Sequence, residues 1–484
     1  MLVMTNGVLP LAGRSRPGTS SARTISPSPT AIRAVIFVAF DPIVIVLRSV
    51  SSAKTASAPQ SRTGPARETA FFVPMRVSPD GGVMARMRIG FLFNHDQVHQ
   101  VAHALPIALA MRRLHPTAEI VVATTNDRLT AEVHRLAGDA ADGLTIVQLA
   151  LRKPLTRFLA RHLEWALPVR KIGVYRDNLD LFEGLDALVV TEKTSLLLKT
   201  RYGLRVPIIH TRHGAGDRAI GFDKASARFD RVLVSGPKIR RRLVEEAHVA
   251  PDRIETVGYA KFDLIGERSP RLPFQDNGKP TVLYNPHLSP HLSSWYRHGR
   301  AVLDHFLHDD QFNLIFAPHV MLFHRRFVVT IDKLRIDRPG VVEQRHLDAP
   351  NIHVDLGSPA STDMTYTLAA DIYLGDVSSQ VYEFLHRPRP CVFLNSHDVD
   401  WRGDPNYAHW AAGPVIHDPA NLGAAIDWAM VARDQYEPVQ QQLFADSFDL
   451  SDEPSSLRAA RAVLRFLGAS AIVEPARDGK ELAA

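Results

Sequence analysis

The sequence predicts an α/β protein composed of two successive Rossmann-like lobes. From about residue 87, short apolar runs alternate with helical patterns, which is typical of βαβ units around a parallel sheet. The alternation is interrupted once, around residues 269–278, where Pro, Gly, Asp and Asn predict a linker. A second alternating series begins directly afterwards. We therefore expect one lobe over residues 87–270 and another over residues 276–450.

The first lobe begins with a run that is typical of a Rossmann strand. Apolar residues between positions 98 and 109 are then spaced to form one face of a helix, with Pro106 inside the pattern as a possible kink. Strands of this lobe are predicted at 89–93, 119–123, 144–149, 187–190, 207–210, 231–234 and 254–257.

The second lobe repeats the arrangement. Its strands are predicted at 281–284, 313–317, 352–355, 372–375, 391–394 and 414–416. Two such lobes with no other fold signal give the GT-B architecture, whose ligands bind in the cleft outside the carboxyl ends of the strands. Residues 451–470 contain a helical pattern that is expected to pack back across the lobes, and residues 471–484 are expected to form a flexible tail.

The first 86 residues are predicted to be a disordered extension. They are rich in Ser, Thr, Ala, Pro and Arg and poor in acids, a composition typical of targeting or disordered segments. Two interpretations stay open: a functional leader, or an upstream extension with no structural role and a true start at Met84 or Met87. The strand pattern that begins at Met87 favours the second.

Charge and cysteine content narrow the class of function. The net charge of the 484-residue chain is +6, but residues 1–86 hold ten basic and three acidic residues, which leaves −1 for the rest. A near-neutral body argues against a nucleic acid partner. The single cysteine, Cys391, lies in an apolar run and fits a reducing cytoplasm. No apolar run near the start is long enough to span a bilayer, so no transmembrane helix is predicted.

One polar turn stands out in the second lobe. The apolar strand that ends at Gly375 is followed by Asp376, Ser378 and Ser379, and a helix is predicted from Gln380. Backbone amides at a helix N-terminus, together with two hydroxyl groups, form a suitable phosphate site. The alternative is an Asp/Ser N-cap without a ligand.

A second candidate lies in the first lobe. The strand at 207–210 runs into a glycine-rich turn that would leave His213 at the mouth of the cleft. An imidazole that titrates near neutrality suits the removal of a proton from an attacking alcohol. Asp217 or Arg218 is expected to orient this histidine or to bind phosphate.

These motifs resemble the family of CDP-glycerol glycerophosphotransferases, which build teichoic-acid-type polyol phosphate chains. The match comprises a strand, an Asp-x-Ser-Ser turn, a helix with an acidic residue and Phe, and then Arg-Pro; Val377 replaces the usual Tyr. The matching residues are Asp376, Ser378, Ser379, Glu383 and Phe384. The resemblance implies that Ser378 and Ser379 hold the phosphates of a CDP-linked donor, and that His213 is the general base.

The resemblance extends over most of residues 200–400, with two departures. After the first strand of the second lobe, residues 285–291 read Asn-Pro-His-Leu-Ser-Pro-His instead of the family pattern, and His319 is kept without the proline that usually follows it. His319 is a candidate phosphate contact. Gly258 belongs to another family-like segment, at the lobe junction, although a structural turn accounts for a glycine there equally well.

Two further patterns have competing interpretations. Residues 151–171 contain Leu, Phe and Trp among Arg and Lys, which suits an anionic membrane surface or an ordinary helix with a solvated basic face. His287, His291 and His298 invite a metal interpretation, but Pro290 breaks any helix that would align the first two. We expect no metal and no cofactor other than the donor co-substrate.

The expected activity is transfer of glycerol phosphate, or a related polyol phosphate, from a CDP-linked donor to a hydroxyl of a lipid-linked or glycan acceptor. The expected location is the cytoplasm, with peripheral contact to the inner face of the membrane. One rival is a GT-B glycosyltransferase or a UDP-GlcNAc 2-epimerase-like enzyme, in which Glu383 would hold ribose or sugar hydroxyls. Another is a non-catalytic nucleotide-binding protein, which the altered stretch at 285–291 favours.

Overall fold

Buried apolar runs build two parallel sheets in the computed structural model, which describes residues 86–94, 98–163, 169–266, 269–324, 326–330 and 335–469. The expectations for residues 1–85 and 471–484 lie outside these residues. Within them, the first sheet has seven strands in the order β3-β2-β1-β4-β5-β6-β7. These are β1 (Arg88–Phe93), β2 (Glu119–Thr124), β3 (Thr145–Gln148), β4 (Ala187–Val190), β5 (Ile208–His210), β6 (Arg231–Val234) and β7 (Ile254–Thr256).

Helices cover both faces of this sheet, as expected for parallel strands that are apolar on both sides. They are α1 (Val101–Leu114), α2 (Asp127–Ala137), α3 (Pro154–Leu163), α4 (Val169–Asp177), α5 (Leu179–Glu183), α6 (Leu197–Thr200) and α7 (Pro237–Glu245). Pro106 lies within α1, as predicted.

The second sheet has six described strands in the order β12-β9-β8-β13-β14-β15, and all of its pairs are parallel. They are β8 (Thr281–Asn285), β9 (Asn313–Phe316), β12 (Ile352–Val354), β13 (Ile372–Gly375), β14 (Cys391–Leu394) and β15 (Val415–Ile416). An antiparallel pair that the sequence analysis did not predict consists of β10 (Val328–Thr330) and β11 (Arg335–Asp337).

The helices of the second lobe are α8 (Trp295–His308), α9 (Gln344–Leu347), α10 (Thr365–Ala369), α11 (Gln380–Phe384), α12 (Leu422–Val431) and α13 (Arg433–Ser447). None of the described helices is both long enough and apolar enough to cross a membrane.

The last described helix, α14 (Ser455–Phe466), packs against α1 of the first lobe. Both carboxylate oxygens of Asp263 accept hydrogen bonds at its N-terminus, from the backbone N–H groups of Ser455 and Ser456. A helix is thus present within residues 451–470, and its packing joins the last described residues to the first lobe.

Strand order explains where a site can form. In each sheet, the order reverses between the first strand and its later neighbour, β1 and β4 in one lobe and β8 and β13 in the other. Ligands of doubly wound sheets bind outside the carboxyl ends of the strands at this point. The loops that follow β1, β4 and β5, and those that follow β8, β9 and β13, are therefore the candidates.

Candidate active site

The glycine-rich turn after β5 packs against the polar turn after β13. A Cβ atom on Gly216 would lie 2.9 Å from Cβ of Ser379, and one on Gly214 would lie 3.4 Å from its Oγ. Gly214 also has a φ of +91°, a conformation that glycine adopts without strain. Glycine at these two positions thus allows the two predicted motifs to approach each other across the cleft.

His213 is held in a defined tautomer. Its Nδ1 lies 2.9 Å from the carbonyl oxygen of Thr191, and a carbonyl only accepts, so Nδ1 carries the proton. The carboxylate of Glu192 lies 3.6 Å from the same nitrogen. Nε2 is consequently left with a lone pair that can accept a proton, and the ring is partly exposed in the cleft.

Asp217 does not orient His213, contrary to one expectation. Its buried carboxylate accepts from Nζ of Lys238 at 2.8 Å, from the hydroxyl of Tyr382 at 2.5 Å, and contacts Nδ1 of His409 at 2.9 Å. Burial alone would raise the pKa of Asp217, but Lys238 and His409 hold it below its ordinary value. Asp217 therefore joins the two lobes, and Thr191 and Glu192 take the orienting position.

Arg218 and His287 face each other across the lobes. Nη1 of Arg218 lies 2.8 Å from Nε2 of His287, and the backbone N–H of Ser289 donates to Nδ1 of the same ring at 2.9 Å. Burial, followed by the charge of Arg218, lowers the pKa of His287, so the ring is neutral at pH 7. Arg218 and the backbone N–H of Ser289 thus hold this ring between the two lobes, and Arg218, which can only donate, is the cation in this part of the cleft.

His319 lies beside this pair. Its ring centroid is 5.9 Å from that of His287, and its Nδ1 accepts from the backbone N–H of Met321 at 3.2 Å. Burial, with the nearby Arg218 and His213, lowers the pKa of His319 to about 4. At neutral pH the ring is uncharged, and Nε2 carries the hydrogen that can be donated to a ligand.

The two predicted serines differ in accessibility. Ser378 is buried, and its hydroxyl donates to the side-chain oxygen of Asn285 at 2.5 Å. Ser379 is exposed, lies beside the glycine-rich turn, and its hydroxyl has no hydrogen bond to another described residue. Because α11 has only five residues, its dipole contributes little here. Ser379 is therefore the better placed of the two to contact a ligand.

Asp376 supports the turn and does not face the cleft as a free carboxylate. It is almost fully buried and accepts hydrogen bonds from the backbone N–H groups of His287, Val377 and Ser294, and from the Ser294 hydroxyl. Burial raises the pKa of Asp376. A carboxylate would also repel phosphate, so its contribution is to hold the loop after β8 in place.

Glu383 and Gly258 lie at the junction of the lobes. Both carboxylate oxygens of Glu383 accept from Nζ of Lys261 at 2.8 Å, and the Tyr259 hydroxyl donates to one of them at 2.8 Å. Gly258 has a φ of +82°, and a Cβ there would lie 2.2 Å from the hydroxyl of Ser455. In this structure, Glu383 is the buried partner of Lys261, and Gly258 makes room for the start of α14.

Sequence reasoning did not identify His99, Thr191, Glu192, Lys238 or His409. Thr191 and Glu192 directly follow β4, so strand order alone points to them once the sheet is known. His99 lies on a short helix, Val98–Gln100, just after β1. No sequence pattern pointed to Lys238 or His409, because Asp217, which both side chains contact, is more than twenty residues away in sequence.

The histidines at 287, 291 and 298 do not gather around a common point. His298 contacts the Ser396 hydroxyl at 3.0 Å, whereas His287 faces Arg218. Over the described ranges, no group of three or more His, Cys, Asp or Glu side chains is arranged to hold a metal ion.

Solved structures share this arrangement of two lobes. A variant of the wall teichoic acid polymerase TagF matches with a TM-score of 0.50 and 12% identity over 79% of this chain and 89% of that chain. A putative UDP-N-acetylglucosamine 2-epimerase from Listeria monocytogenes matches with a TM-score of 0.50 and 14% identity, over 79% and 95%. At these identities the likeness establishes the fold. The protein has the GT-B fold, as predicted.

The same TagF variant in a crystal soaked with CDPG also matches with a TM-score of 0.50, at 14% identity, over 79% of this chain and 88% of that one. No family model matches the chain, and no curated protein matches it.

Proposed function

We propose that the protein is a transferase that moves a polyol phosphate, such as glycerol phosphate, from a CDP-linked donor to an acceptor hydroxyl. The observation that carries the proposal is the placement of His213. The turn that carries it lies across the cleft from the Ser379 hydroxyl and His319 of the second lobe, and Arg218 lies five residues further along the same lobe as His213. A base close to several donors is suited to transfer of an anionic group to an alcohol.

These positions support the following course for the proposed transfer. The acceptor oxygen attacks the phosphorus of the donor's β-phosphate, which carries the polyol. A P–O bond forms to the acceptor, the bond from that phosphorus to the oxygen bridging the two phosphates breaks, and CMP leaves with the electron pair. The proton of the acceptor hydroxyl passes to Nε2 of His213. Arg218, His319 and Ser379 stabilise the negative charge that shifts onto the diphosphate oxygens.

Two kinds of support favour the CDP-linked donor. Between Asp376 and Phe384, five positions resemble the CDP-glycerol glycerophosphotransferase family, and Val377 departs from it. The fold is shared with a TagF structure whose crystal was soaked with CDPG.

The shared fold with a UDP-N-acetylglucosamine 2-epimerase supports a second candidate, a UDP-sugar enzyme. Against it, Glu383 is already bonded to Lys261 and Tyr259 and has little capacity left for a ribose.

A thermal-shift screen of the full chain separates these possibilities. The ligands are CDP-glycerol, CDP-ribitol, CMP, UDP-GlcNAc and GDP-mannose, each tested with Ser379→Ala and with the remote control Ser451→Ala. A ligand that binds only the folded state raises the melting temperature. We expect stabilisation by cytidine ligands that is reduced in Ser379→Ala alone. Preference for UDP or GDP compounds would support the second candidate, and no response would favour a non-catalytic protein.

We further propose that the first lobe contacts an anionic membrane surface, where a lipid-linked acceptor would lie. On α3, Leu155 and Phe158 are each 59% exposed, close in sequence to Arg152, Arg157 and Arg161. An exposed apolar pair within a basic helix suits the interface of an anionic bilayer.

Co-sedimentation with vesicles tests the membrane contact. Vesicles containing phosphatidylserine should retain the protein, and Leu155→Ser/Phe158→Ser should release it. The double variant Ile336→Ser/Val341→Ser removes two exposed apolar side chains of the second lobe and should bind as the wild type does. Equal binding of all three proteins, or no binding, would contradict the proposal.

A further inference from the structure

His99 occupies a position between the two lobes that the proposed reaction does not yet use. It lies on the short helix after β1 and is half-buried. Its ring centroid is 6.0 Å from that of His213 in the first lobe and 6.2 Å from that of His319 in the second, and both contacts are edge-to-face. His99 therefore adjoins both the expected base and an expected phosphate contact.

The short helix is fixed in place by Gln100. The hydroxyl of Thr191 donates to the side-chain oxygen of Gln100 at 3.0 Å, and the amide nitrogen of Gln100 donates to Glu192. Thr191 and Glu192 are the same residues that orient His213. The positions of His99 and His213 are thus set by one hydrogen-bonded group.

The ring of His99 retains hydrogen-bonding capacity. No hydrogen bond joins it to another residue in the described part of the chain, and its described neighbours touch it only through ring contacts. Burial, followed by the neighbouring His213, His319 and Lys261, lowers the pKa of His99 well below its ordinary value. A neutral imidazole has one N–H donor and one accepting nitrogen.

We propose that His99 is a catalytic residue whose N–H donates to a non-bridging oxygen of the phosphate being transferred, between His213 and His319. This rests on the proposed function, because the ligand is the diphosphate of that reaction. The geometry favours such a contact: the ring faces the groups expected on either side of the transferred phosphate, and it has a donor without another use among the described residues.

Two substitutions separate hydrogen bonding from ring packing. His99→Phe keeps an aromatic ring but removes both nitrogens, and His99→Gln keeps an N–H donor without the ring. We expect kcat to fall about 10²–10³-fold in His99→Phe and less in His99→Gln, with little change in the KM for the donor, since the lost bond acts on developing charge. If His99 acts only by packing, His99→Phe should instead keep the kcat of the wild type. His103→Gln, at a ring that packs on Tyr259 at 5.3 Å, should retain kcat.

A titration with inorganic pyrophosphate tests the contact without turnover. The probe signals are the ring ¹H–¹³C resonances of ¹³C-histidine-labelled protein, with His99 assigned by its loss in His99→Phe. Signals of His99, His213 and His319 should shift together. Shifts of His213 and His319 without His99, or no shift of any of them, would overturn the proposal. If no CDP-linked donor is turned over, the proposed function fails, but the titration still decides whether His99 binds phosphate.

Discussion

At the scale of single residues, the hydrogen-bond and ionic partners of a side chain decide its role in this cleft more than its residue type does. Asp217 and Glu192 are both acidic and both close in sequence to elements of the site. Asp217 is occupied by Lys238 and His409, whereas Glu192 lies 3.6 Å from Nδ1 of His213. Only the second can stabilise the imidazolium that the proposed reaction would form at His213.

Glu192→Gln should therefore slow transfer without unfolding the protein. It removes the negative charge beside His213 but keeps the shape of the side chain, and we expect kcat to fall about tenfold. Glu183→Gln, at an exposed position at the end of α5, is the matched control and should behave as the wild type does. A kcat equal to that of the control would show that Thr191 alone orients the base.

Four imidazoles near the cleft should make stability depend on pH. Burial lowers the pKa values of His99, His103, His287 and His319, that of His319 to about 4. Unfolded imidazoles titrate near 6.5, so the unfolded state binds more protons as the pH falls below that value. Stability is then fully present above about pH 6.5 and is lost towards pH 4, by roughly 1–2 kcal/mol for His319 between pH 7.5 and 5.

Calorimetry at pH 7.5 and 5 measures this loss. The melting temperature of the wild type should drop over this interval, and the drop should be smaller in His319→Asn. A melting temperature that is constant or rises towards pH 5 would contradict the buried, neutral state of these rings.

At the scale of elements, the alternation of short apolar runs and helical patterns in the sequence predicted the strands of both parallel sheets. The predicted strands of both sheets agree with the observed ones to within one residue at each end. The β10–β11 pair was not predicted, because its two three-residue strands are too short to show alternation. The helix that carries His99 was missed for a similar reason, since one turn has no periodic pattern.

The close approach of α14 to the lobe junction gives a prediction about Gly258. Gly258→Ala places a Cβ 2.2 Å from the Ser455 hydroxyl and 2.8 Å from the Asp449 carbonyl oxygen, at a φ of +82°. Gly278→Ala is a matched control, because its φ is +74° but nothing lies within 4 Å. We expect a loss of about 1 kcal/mol for the control and about 2–4 kcal/mol for Gly258→Ala, measured by urea unfolding. Equal losses of unfolding free energy in the two variants would show that α14 moves away from the added Cβ without a cost in stability.

At the scale of the whole molecule, buried polar groups join the two lobes. Asp217 of the first lobe meets Tyr382 and His409 of the second, and Lys261 meets Glu383. These contacts are distant in sequence, so no local pattern predicts them. The sequence motifs identified several groups that line the cleft, but which of them remain accessible depends on this pairing across the lobes.

The Lys261–Glu383 pair allows a quantitative test of how much a buried ion pair between the lobes contributes to stability. Both side chains are buried, so Glu383→Gln leaves Lys261 without a counter-charge and should cost about 3–5 kcal/mol in the free energy of unfolding. Lys261→Met/Glu383→Gln should recover part of this loss. If Glu383 instead holds a ribose, Glu383→Gln should lose the stabilisation by nucleotides with little change in the unligated protein.

The central claim is that His213 accepts the proton of an acceptor hydroxyl while CMP leaves. The most direct measurement is CMP release from CDP-glycerol in the presence of a lipid-linked or glycan acceptor, for the full chain and for His213→Gln, with His134→Gln on the exposed part of α2 as control. The account predicts acceptor-dependent release that falls about 10²–10⁴-fold in His213→Gln only. Release that is unchanged in His213→Gln would contradict it.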